Sequence, residues 1–396
     1  MSSPVKEKKL WVVVEPMLYI HTGIFIGAIL RNQSVVDKYD IRFVASPNGI
    51  AVRPVTEEMQ REFGGEFKFH PFEHPDLSNR SSFLDSMGRA LAALKSVCSY
   101  SRSERNVDFI TFLWADSAVK LMAIPFVSSI FNDVQGKIGG IFFNSRCFRE
   151  NHWKAKIQRY LTLRGIRSGV FKSLHFLDHG ACEIAKTQLP ERYHSILHLG
   201  VDPWQGGGAE SQLKPGGKLN LLTFGAHSER KGTLKLLQML RDFPEETKGY
   251  HLLIVGAVRD DIRDRFESLV AELPENDERL TVVDRFVEDD EMVDFFKVSD
   301  VVLCPYVDFH GSSNVIIRAA SYRLPVVAPP FSFLQEVVTN NQLGEVASKN
   351  EAPEILSAIQ RIEKRLGEDP VFYHSRCEKY ASFHHESQFA PSLLQQ

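Results

Sequence analysis

The chain has 396 residues and a formal net charge of −3 at pH 7. This length predicts two domains of ordinary size, each with its own core, and the charge balance argues against a general nucleic-acid binder. Five cysteines without paired spacing are typical of a reducing compartment. No run reaches the ~18 apolar residues of a spanning helix, and the amino terminus lacks the apolar core of a signal peptide. A cytoplasmic protein is therefore expected.

Strands alternate with helices through the first half of the chain. Short apolar runs predict strands at 10–16, 40–46, 67–72, 108–114, 137–143 and 173–178. A loop at 17–23 leads into an apolar helix at 24–30, and 79–100 is a longer helical stretch. Such alternation predicts a parallel, doubly wound sheet.

Asp116 follows the strand at 108–114 and has two interpretations. Its carboxylate could accept a proton from a bound hydroxyl group. Alternatively, it caps the helix that runs through Val119 and Leu121, which the preference of Asp for N-cap positions favours.

A basic segment lies between residues 151 and 174. It contains no acidic residue and six basic ones, Lys154, Lys156, Arg159, Arg164, Arg167 and Lys172. Trp153, Ile157, Tyr160 and Leu161 recur at helical spacing, a pattern of helices that lie on anionic lipid. The alternative, which we favour from sequence, is a solvated helix that these same apolar residues pack onto the sheet.

The second half begins after a glycine-rich linker at 204–217. Buried strands are predicted at 219–225, 251–256, 280–286 and 300–306, each followed by a turn and a helix. After the first of these strands, Arg230 and Lys231 stand at the start of a helix. The helix dipole disfavours cations there, so the pair indicates a bound phosphate, with a solvated surface pair as the alternative.

A glycine-serine turn, His310-Gly311-Ser312-Ser313-Asn314, follows the strand at 300–306. Parallel α/β sheets bind ligands at the carboxyl ends of their strands, where backbone N–H groups and a helix N-terminus can hold an anion. Glycine allows close backbone approach and the two hydroxyls add donors. An ordinary helix-capping turn is the alternative.

The segment 219–346 resembles the donor half of family 4 retaining glycosyltransferases (glycosyltransferase group 1), whose GT-B fold has two facing Rossmann-like domains. The resemblance rests on Lys231-Gly232 at the expected distance from Gly225, on Leu324-Pro-Val-Val-Ala328, and on Gln335-Glu336 followed by Gly344. It implies an acceptor-side domain at 1–203, joined by the C-terminal helix at about 380–396, and a nucleotide-sugar domain at 218–379.

The chain departs from the family at several positions. His310 and Arg318 stand where the family has its paired glutamates, and Ala226 replaces an arginine that grips the donor diphosphate. In the first domain, Asn144 stands near the place of a family histidine. These departures leave two alternatives. One is an active enzyme with altered side chains, and the other is an inactive GT-B protein that binds or regulates partners in a glycan assembly system.

The resemblance implies roles for individual residues. His310, Lys231 and Arg230 are the catalytic candidates. The donor-binding candidates are Gly225, Gly256, Arg285, Phe286, Val287, Gly311, Ser312, Ser313, Asn314 and Arg318, of which Arg285 to Val287 would frame the base. The acceptor-side candidates are His21, Thr22, Gly23, Asp116 and Asn144.

The resulting expectation is a metal-independent, cytoplasmic hexosyltransferase without a cofactor. It moves a sugar from a nucleotide-sugar donor to a glycan, lipid-linked or small-molecule acceptor with retention, and peripheral contact with the inner face of the membrane would use 151–174. A sugar-nucleotide epimerase of related fold is a weaker alternative, since its acidic and histidine catalytic groups have no clear counterpart in the sequence.

Overall fold

A computed structural model describes residues 8–15, 20–45, 52–71, 83–103, 107–143, 145–205, 217–309 and 311–394. These residues divide into two compact units. The first unit comprises the described residues up to 205 together with those from 385 onward, and the second comprises those from 217 to 384. Most of the linker predicted at 204–217 lies outside the described residues. Trp204 belongs to the first unit, where its carbonyl oxygen accepts a hydrogen bond from the Glu386 N–H at 3.0 Å.

The first unit is an alternating α/β arrangement. Its elements in chain order are β1 (Lys9–Glu15), α1 (Ile20–Leu30), α2 (Gln33–Val36), β2 (Tyr39–Ala45), α3 (Val52–Phe63), β3 (Lys68–Pro71), α4 (Phe83–Ser103), β4 (Val107–Phe112), α5 (Asp116–Leu121), α6 (Pro125–Ile130), β5 (Ile138–Phe142), α7 (Arg146–Arg149), α8 (Trp153–Arg167), β6 (Phe171–Phe176), α9 (His179–Thr187) and β7 (Leu197–Leu199).

The second unit repeats the alternation. Its elements are β8 (Leu219–Phe224), α10 (Thr233–Asp242), β9 (Tyr250–Val255), α11 (Arg263–Ala271), β10 (Leu280–Val283), α12 (Asp289–Val298), β11 (Val301–Leu303), α13 (Asn314–Ser321), β12 (Val326–Ala328), α14 (Ser332–Asn341), β13 (Gly344–Val346), α15 (Ala352–Glu368) and α16 (His374–Phe383). A last helix, α17 (Glu386–Leu393), belongs to the first unit.

Both sheets are parallel throughout. The strand order is β3-β2-β1-β4-β5-β6-β7 in the first unit and β10-β9-β8-β11-β12-β13 in the second. Alternate residues of β1 enter cores on opposite faces: Val12 and Val14 lie in one hydrophobic cluster, and Trp11 and Val13 lie in the other. Two buried faces explain why the strands are apolar at nearly every position. The predicted doubly wound α/β architecture is confirmed.

Three local predictions differ from the structure. Helix α1 begins at Ile20, so His21, Thr22 and Gly23 lie in its first turn rather than in a loop. Asp116 is the first residue of α5 and does not cap it, because the N-cap residue is Ala115.

The C-terminal helix predicted at about 380–396 begins only at Glu386, because the residues up to Phe383 end a separate helix, α16, which belongs to the second unit. Helix α17 packs on α1, where the rings of Phe25 and Phe389 stack with their centroids 5.2 Å apart. Among the helices that the structure describes, none is both long and apolar enough to cross a membrane.

Candidate active site

Two turns meet at the carboxyl edge of the second sheet. The turn after β8 contains a single 3-10 turn, Glu229–Lys231, and the turn after β11 passes through Tyr306. The Val307 N–H donates to the Arg230 carbonyl at 2.8 Å and joins the two turns. Asn350 holds the second turn from behind, since its Nδ2 donates to the carbonyls of Pro305 and Tyr306 at 3.1 and 2.9 Å. The predicted Lys231 and Ser313 are thereby brought together.

The ammonium group of Lys231 lies inside this junction. The residue is only 7% exposed. Its Nζ donates to the Phe224 carbonyl at 3.0 Å and to the Tyr306 hydroxyl at 2.8 Å, and it lies 4.4 Å from the centre of the Tyr306 ring. An ammonium carries three N–H donors, so one is left over for a further acceptor.

The charge of Lys231 is not balanced within the part of the chain that the structure describes. Within the described residues, no carboxylate lies within ion-pair distance of Lys231 or of its neighbour Arg230. Burial lowers the pKa of Lys231 to about 8, and the nearby charges of Arg230 and Arg318 lower it as well, whereas Cys304 raises it. Buried charges in proteins are usually paired, so this cation is poised to receive an anion.

Two of the predicted glycines shape the space beside Lys231. Gly225 and Gly256, which directly follow β8 and β9, have φ of +108° and +127°. A Cβ on Gly256 would lie 2.2 Å from the Gly225 carbonyl oxygen, and a Cβ on Gly225 would lie 3.3 Å from Lys231 Nζ. Glycine is therefore required at both positions, because the backbone is left-handed there and approaches closely.

Tyr306 connects Lys231 to the glycine-serine turn. Its buried hydroxyl forms a hydrogen bond of 3.2 Å with Ser313 Oγ, and burial raises its pKa well above the ordinary value. Ser313 is the N-cap residue of α13, but its side chain makes no capping bond to the helix. The Ser313 hydroxyl thus extends the hydrogen-bonded chain that runs from Lys231 through Tyr306. Its neighbours in sequence, Gly311, Ser312 and Asn314, are partly buried.

Arg230 and Arg318 provide further positive charge around Lys231. Arg230 is exposed, and its guanidinium lies 4.8 Å from the centre of the Phe309 ring. Arg318, on α13, lies 6.0 Å from the centre of the Phe224 ring and donates to Met292 Sδ at 2.6 Å. Both guanidinium groups lower the pKa of Lys231, which indicates that they lie near its ammonium group. Three cations are thus gathered at one end of the sheet.

The base-side candidates lie on the turn after β10. Arg285 is exposed and donates to Glu291 Oε2 at 2.7 Å. Phe286 is 67% exposed, whereas the Val287 side chain is buried. An exposed ring is available for stacking against a planar ligand.

His227 is a buried group in the turn after β8 that sequence reasoning missed. Its Nδ1 lies 2.8 Å from Thr233 Oγ1, and burial followed by the charge of Lys231 lowers its pKa to about 4. It is therefore neutral near pH 7 and adds no further charge beside Lys231. Tyr306 was also missed, because its position in an apolar run indicates only strand core.

The acceptor-side candidates belong to the first unit. Asp116 is buried, and its carboxylate accepts from the Phe143 N–H at 3.1 Å. Gly23 lies in the first turn of α1, while the side chains of His21 and Thr22 lie outside the described part of the structure. Asn144, and His310 of the second unit, also lie outside the described residues.

The arrangement in the second unit is that of an anion site. It combines a buried ammonium, two nearby guanidinium groups, a Tyr–Ser hydroxyl chain and the start of α13. Positive groups held in a dry site stabilise charge that develops on a leaving group. In the described residues, no group of three or more His, Cys, Asp or Glu side chains is placed to hold a metal ion.

Comparison with known proteins agrees with this architecture. Residues 218–365 match the family model described as glycosyl transferases group 1. Three similar solved structures are HepE of Anabaena in complex with UDP, a glycosyltransferase from Rickettsia africae and sucrose-phosphate synthase from Thermosynechococcus elongatus. Their TM-scores are 0.67, 0.64 and 0.64 at 11%, 13% and 14% identity, and the alignments cover 97%, 98% and 98% of this chain and 98% of each of those chains. No curated protein sequence matches the chain.

The chain therefore has the GT-B fold of the glycosyltransferases to which it is similar. Its segment 218–365 is a glycosyltransferase group 1 domain, and this domain contains Lys231, Tyr306 and Ser313. The predicted recognition as a group 1 glycosyltransferase of GT-B fold is confirmed, whereas assignment to family 4 stays a prediction.

Proposed function

We propose that the protein transfers a hexose from a nucleoside diphosphate donor to an acceptor hydroxyl with retention at the anomeric carbon, as the resemblance to family 4 implies. The observation that carries the proposal is Lys231, a buried cation at the carboxyl edge of a parallel sheet that pairs with no carboxylate among the residues the structure describes. A diphosphate there would accept a hydrogen bond from the remaining Lys231 N–H. When the bond between the sugar and the diphosphate breaks, the negative charge that builds up on the diphosphate would lie beside this fixed positive group.

The neighbouring groups take supporting roles in this proposal. Ser313 and the N-terminus of α13 would contact a phosphate or sugar oxygen. The neighbouring Gly311 and Ser312 would contribute further N–H and hydroxyl donors to the same oxygens. Arg230 and Arg318 would add long-range attraction for the anionic donor. His310 would contact the sugar, and the exposed Phe286 would stack on the base.

The acceptor belongs to one of three classes, a glycan, a lipid-linked sugar or a small molecule. Asp116 is the candidate base among the described residues of the first unit. Its carboxylate is held by a hydrogen bond of 3.1 Å from the Phe143 N–H. The proposed reaction needs no metal, since cationic side chains would take over the neutralisation of the diphosphate.

The test is a calorimetric titration with UDP, GDP and ADP, followed by hydrolysis and transfer assays with sugar conjugates of whichever nucleotide binds. We expect one nucleotide to bind and its sugar conjugate to turn over, also in the presence of EDTA. NMR of the product then reports whether configuration is retained. Binding without turnover would instead support the inactive, regulatory GT-B protein, and no binding of any nucleotide would overturn the donor site.

A further inference from the structure

Helix α8 of the first unit exposes its large apolar side chains. Trp153, Ile157 and Tyr160 are 67%, 51% and 54% exposed. At about 100° per residue these three positions fall within about 60° of one another around the helix axis. They form a single stripe, which we call the α8 stripe.

The opposite side of α8 holds it in the fold. Its buried residues are Ala155, Thr162, Leu163, Gly165 and Ile166, whose positions centre about 180° from the α8 stripe. The interpretation favoured from the sequence, in which Trp153, Ile157 and Tyr160 pack the helix onto the sheet, is therefore wrong. Small and aliphatic residues do the packing, and the α8 stripe is left on the surface.

Positive charge borders the α8 stripe on both sides. Lys154, Lys156, Arg164 and Arg167 are exposed, and Arg159 is partly so. Their described contacts are to neutral groups: Lys154 lies over the Trp153 ring, Arg164 donates to the Tyr160 hydroxyl at 3.0 Å and Arg167 donates to the Gln188 carbonyl at 2.9 Å. None of these five residues has a carboxylate within ion-pair distance in the described part of the chain.

This local excess of positive charge contrasts with the whole chain, whose net charge is −3. An unspecific polyanion binder would not need large apolar side chains between its cations. A helix that lies in a bilayer interface does, because Trp, Tyr and Ile enter the headgroup region while flanking Lys and Arg attract anionic headgroups.

We infer that α8 is a docking surface for an anionic lipid bilayer. The helix, about 22 Å long, would lie parallel to the membrane with the α8 stripe inserted and Lys154, Lys156, Arg164 and Arg167 at headgroup level, whereas Arg159 is on the side of the buried residues. The inference does not depend on the proposed sugar transfer, since it concerns an exposed helix of the first unit and needs no donor.

Binding to vesicles tests the inference in the full-length protein. We expect it to cosediment with phosphatidylcholine vesicles that contain about 30% phosphatidylglycerol and not with pure phosphatidylcholine, and to be released as salt rises from about 0.1 M to about 1 M. Trp153 is exposed whereas Trp11 and Trp204 are buried, so insertion would shift tryptophan emission to the blue. The shift should be absent in Trp153→Phe.

Variants of α8 separate the electrostatic contribution to vesicle binding from the apolar one. Lys154→Gln with Lys156→Gln should weaken vesicle binding about 25-fold, at roughly fivefold per charge, and Ile157→Ser with Tyr160→Ser should weaken it about tenfold or more. Matched controls in the second unit are Lys364→Gln with Lys379→Gln, and Val371→Ser, all at exposed positions. These controls should leave binding unchanged.

Three outcomes would overturn the inference. They are absence of binding to the anionic vesicles, equal loss in the control variants, and equally tight binding to an oligonucleotide that also depends on the α8 stripe. Concentration-dependent dimerisation that the α8 variants abolish, without vesicle binding, would assign the surface to a second copy of the chain instead.

Discussion

Replacing Lys231 with Met is expected to remove most of the affinity for the nucleoside diphosphate and to lower sugar transfer by about 10²–10³-fold. Met keeps the length and apolar stem of the side chain but has no ammonium. The donors to the Phe224 carbonyl and the Tyr306 hydroxyl are lost, together with the remaining N–H that faces the proposed phosphate. The measurement is a titration with the nucleotide that binds wild-type protein, paired with a turnover assay.

The pH dependence of nucleotide binding gives an independent readout of the same residue. The free protein has a Lys231 pKa of about 8, and only the protonated ammonium attracts the diphosphate. Affinity should therefore be nearly full at pH 7 and below, and fall by up to about tenfold per pH unit above pH 8, as binding takes up the missing proton. Lys231→Met should show no such decline.

The controls distinguish loss of binding from loss of fold. Lys218→Met removes an exposed lysine of the same unit, which pairs with Glu278 at 3.3 Å, and should leave affinity unchanged. Tyr306→Phe keeps the ring beside the ammonium and removes only the hydroxyl that links Lys231 to Ser313, so we expect a loss of less than about tenfold. If a folded Lys231→Met protein bound the nucleotide as tightly as wild type, the diphosphate assignment would be wrong.

The sequence predicts the architecture better than it predicts the site. Apolar runs such as the one through Val301 and Val302 indicate strands because a doubly covered parallel sheet buries both faces. Lys231 could be identified from its place at a helix start. Tyr306 could not, because its role depends on a hydrogen bond to Lys231 across 75 positions of sequence.

Helix ends and exposed faces are the other limits of sequence reasoning. The turn at His384 divides the C-terminal helical pattern between two units, although the residues on either side of it are compatible with one helix. In α8, the apolar residues of the α8 stripe and those of the opposite face, such as Ile166, both recur at helical spacing. Periodicity alone therefore does not identify which face is buried.

Acidification from pH 7 to pH 5 is expected to destabilise the first unit by about 2 kcal/mol through a single residue, His175. This side chain on β6 is 1% exposed and stacks against His198 of β7 with ring centres 5.2 Å apart. Neither ring nitrogen of His175 has a hydrogen-bond partner among the described residues. Burial, and secondarily the charge of His198, lowers its pKa from 6.5 to about 3.

The direction of the effect follows from proton binding in the two states. Between pH 6.5 and 3 the unfolded chain takes up a proton on His175 that the folded unit excludes, so stability is highest above pH 6.5 and falls as pH falls through this range. The depressed pKa of His198 acts in the same direction. Measurements above pH 5 avoid most of the titration of ordinary carboxylates.

Tryptophan fluorescence isolates this unit during denaturation. The chain has four tryptophans, and all of them, Trp11, Trp114, Trp153 and Trp204, belong to the first unit. Urea unfolding followed by their emission should give a free energy that decreases between pH 7 and pH 5. His175→Leu should flatten that dependence, because the variant has no imidazole to protonate at this position.

The matched control is His179→Gln, which removes an exposed histidine at the start of α9. It should retain the wild-type dependence on pH. If His175→Leu instead kept the full decrease, the proton taken up on unfolding would belong to another group. In that case the buried imidazole pair would contribute to packing between β6 and β7 without making the stability of the first unit sensitive to acid.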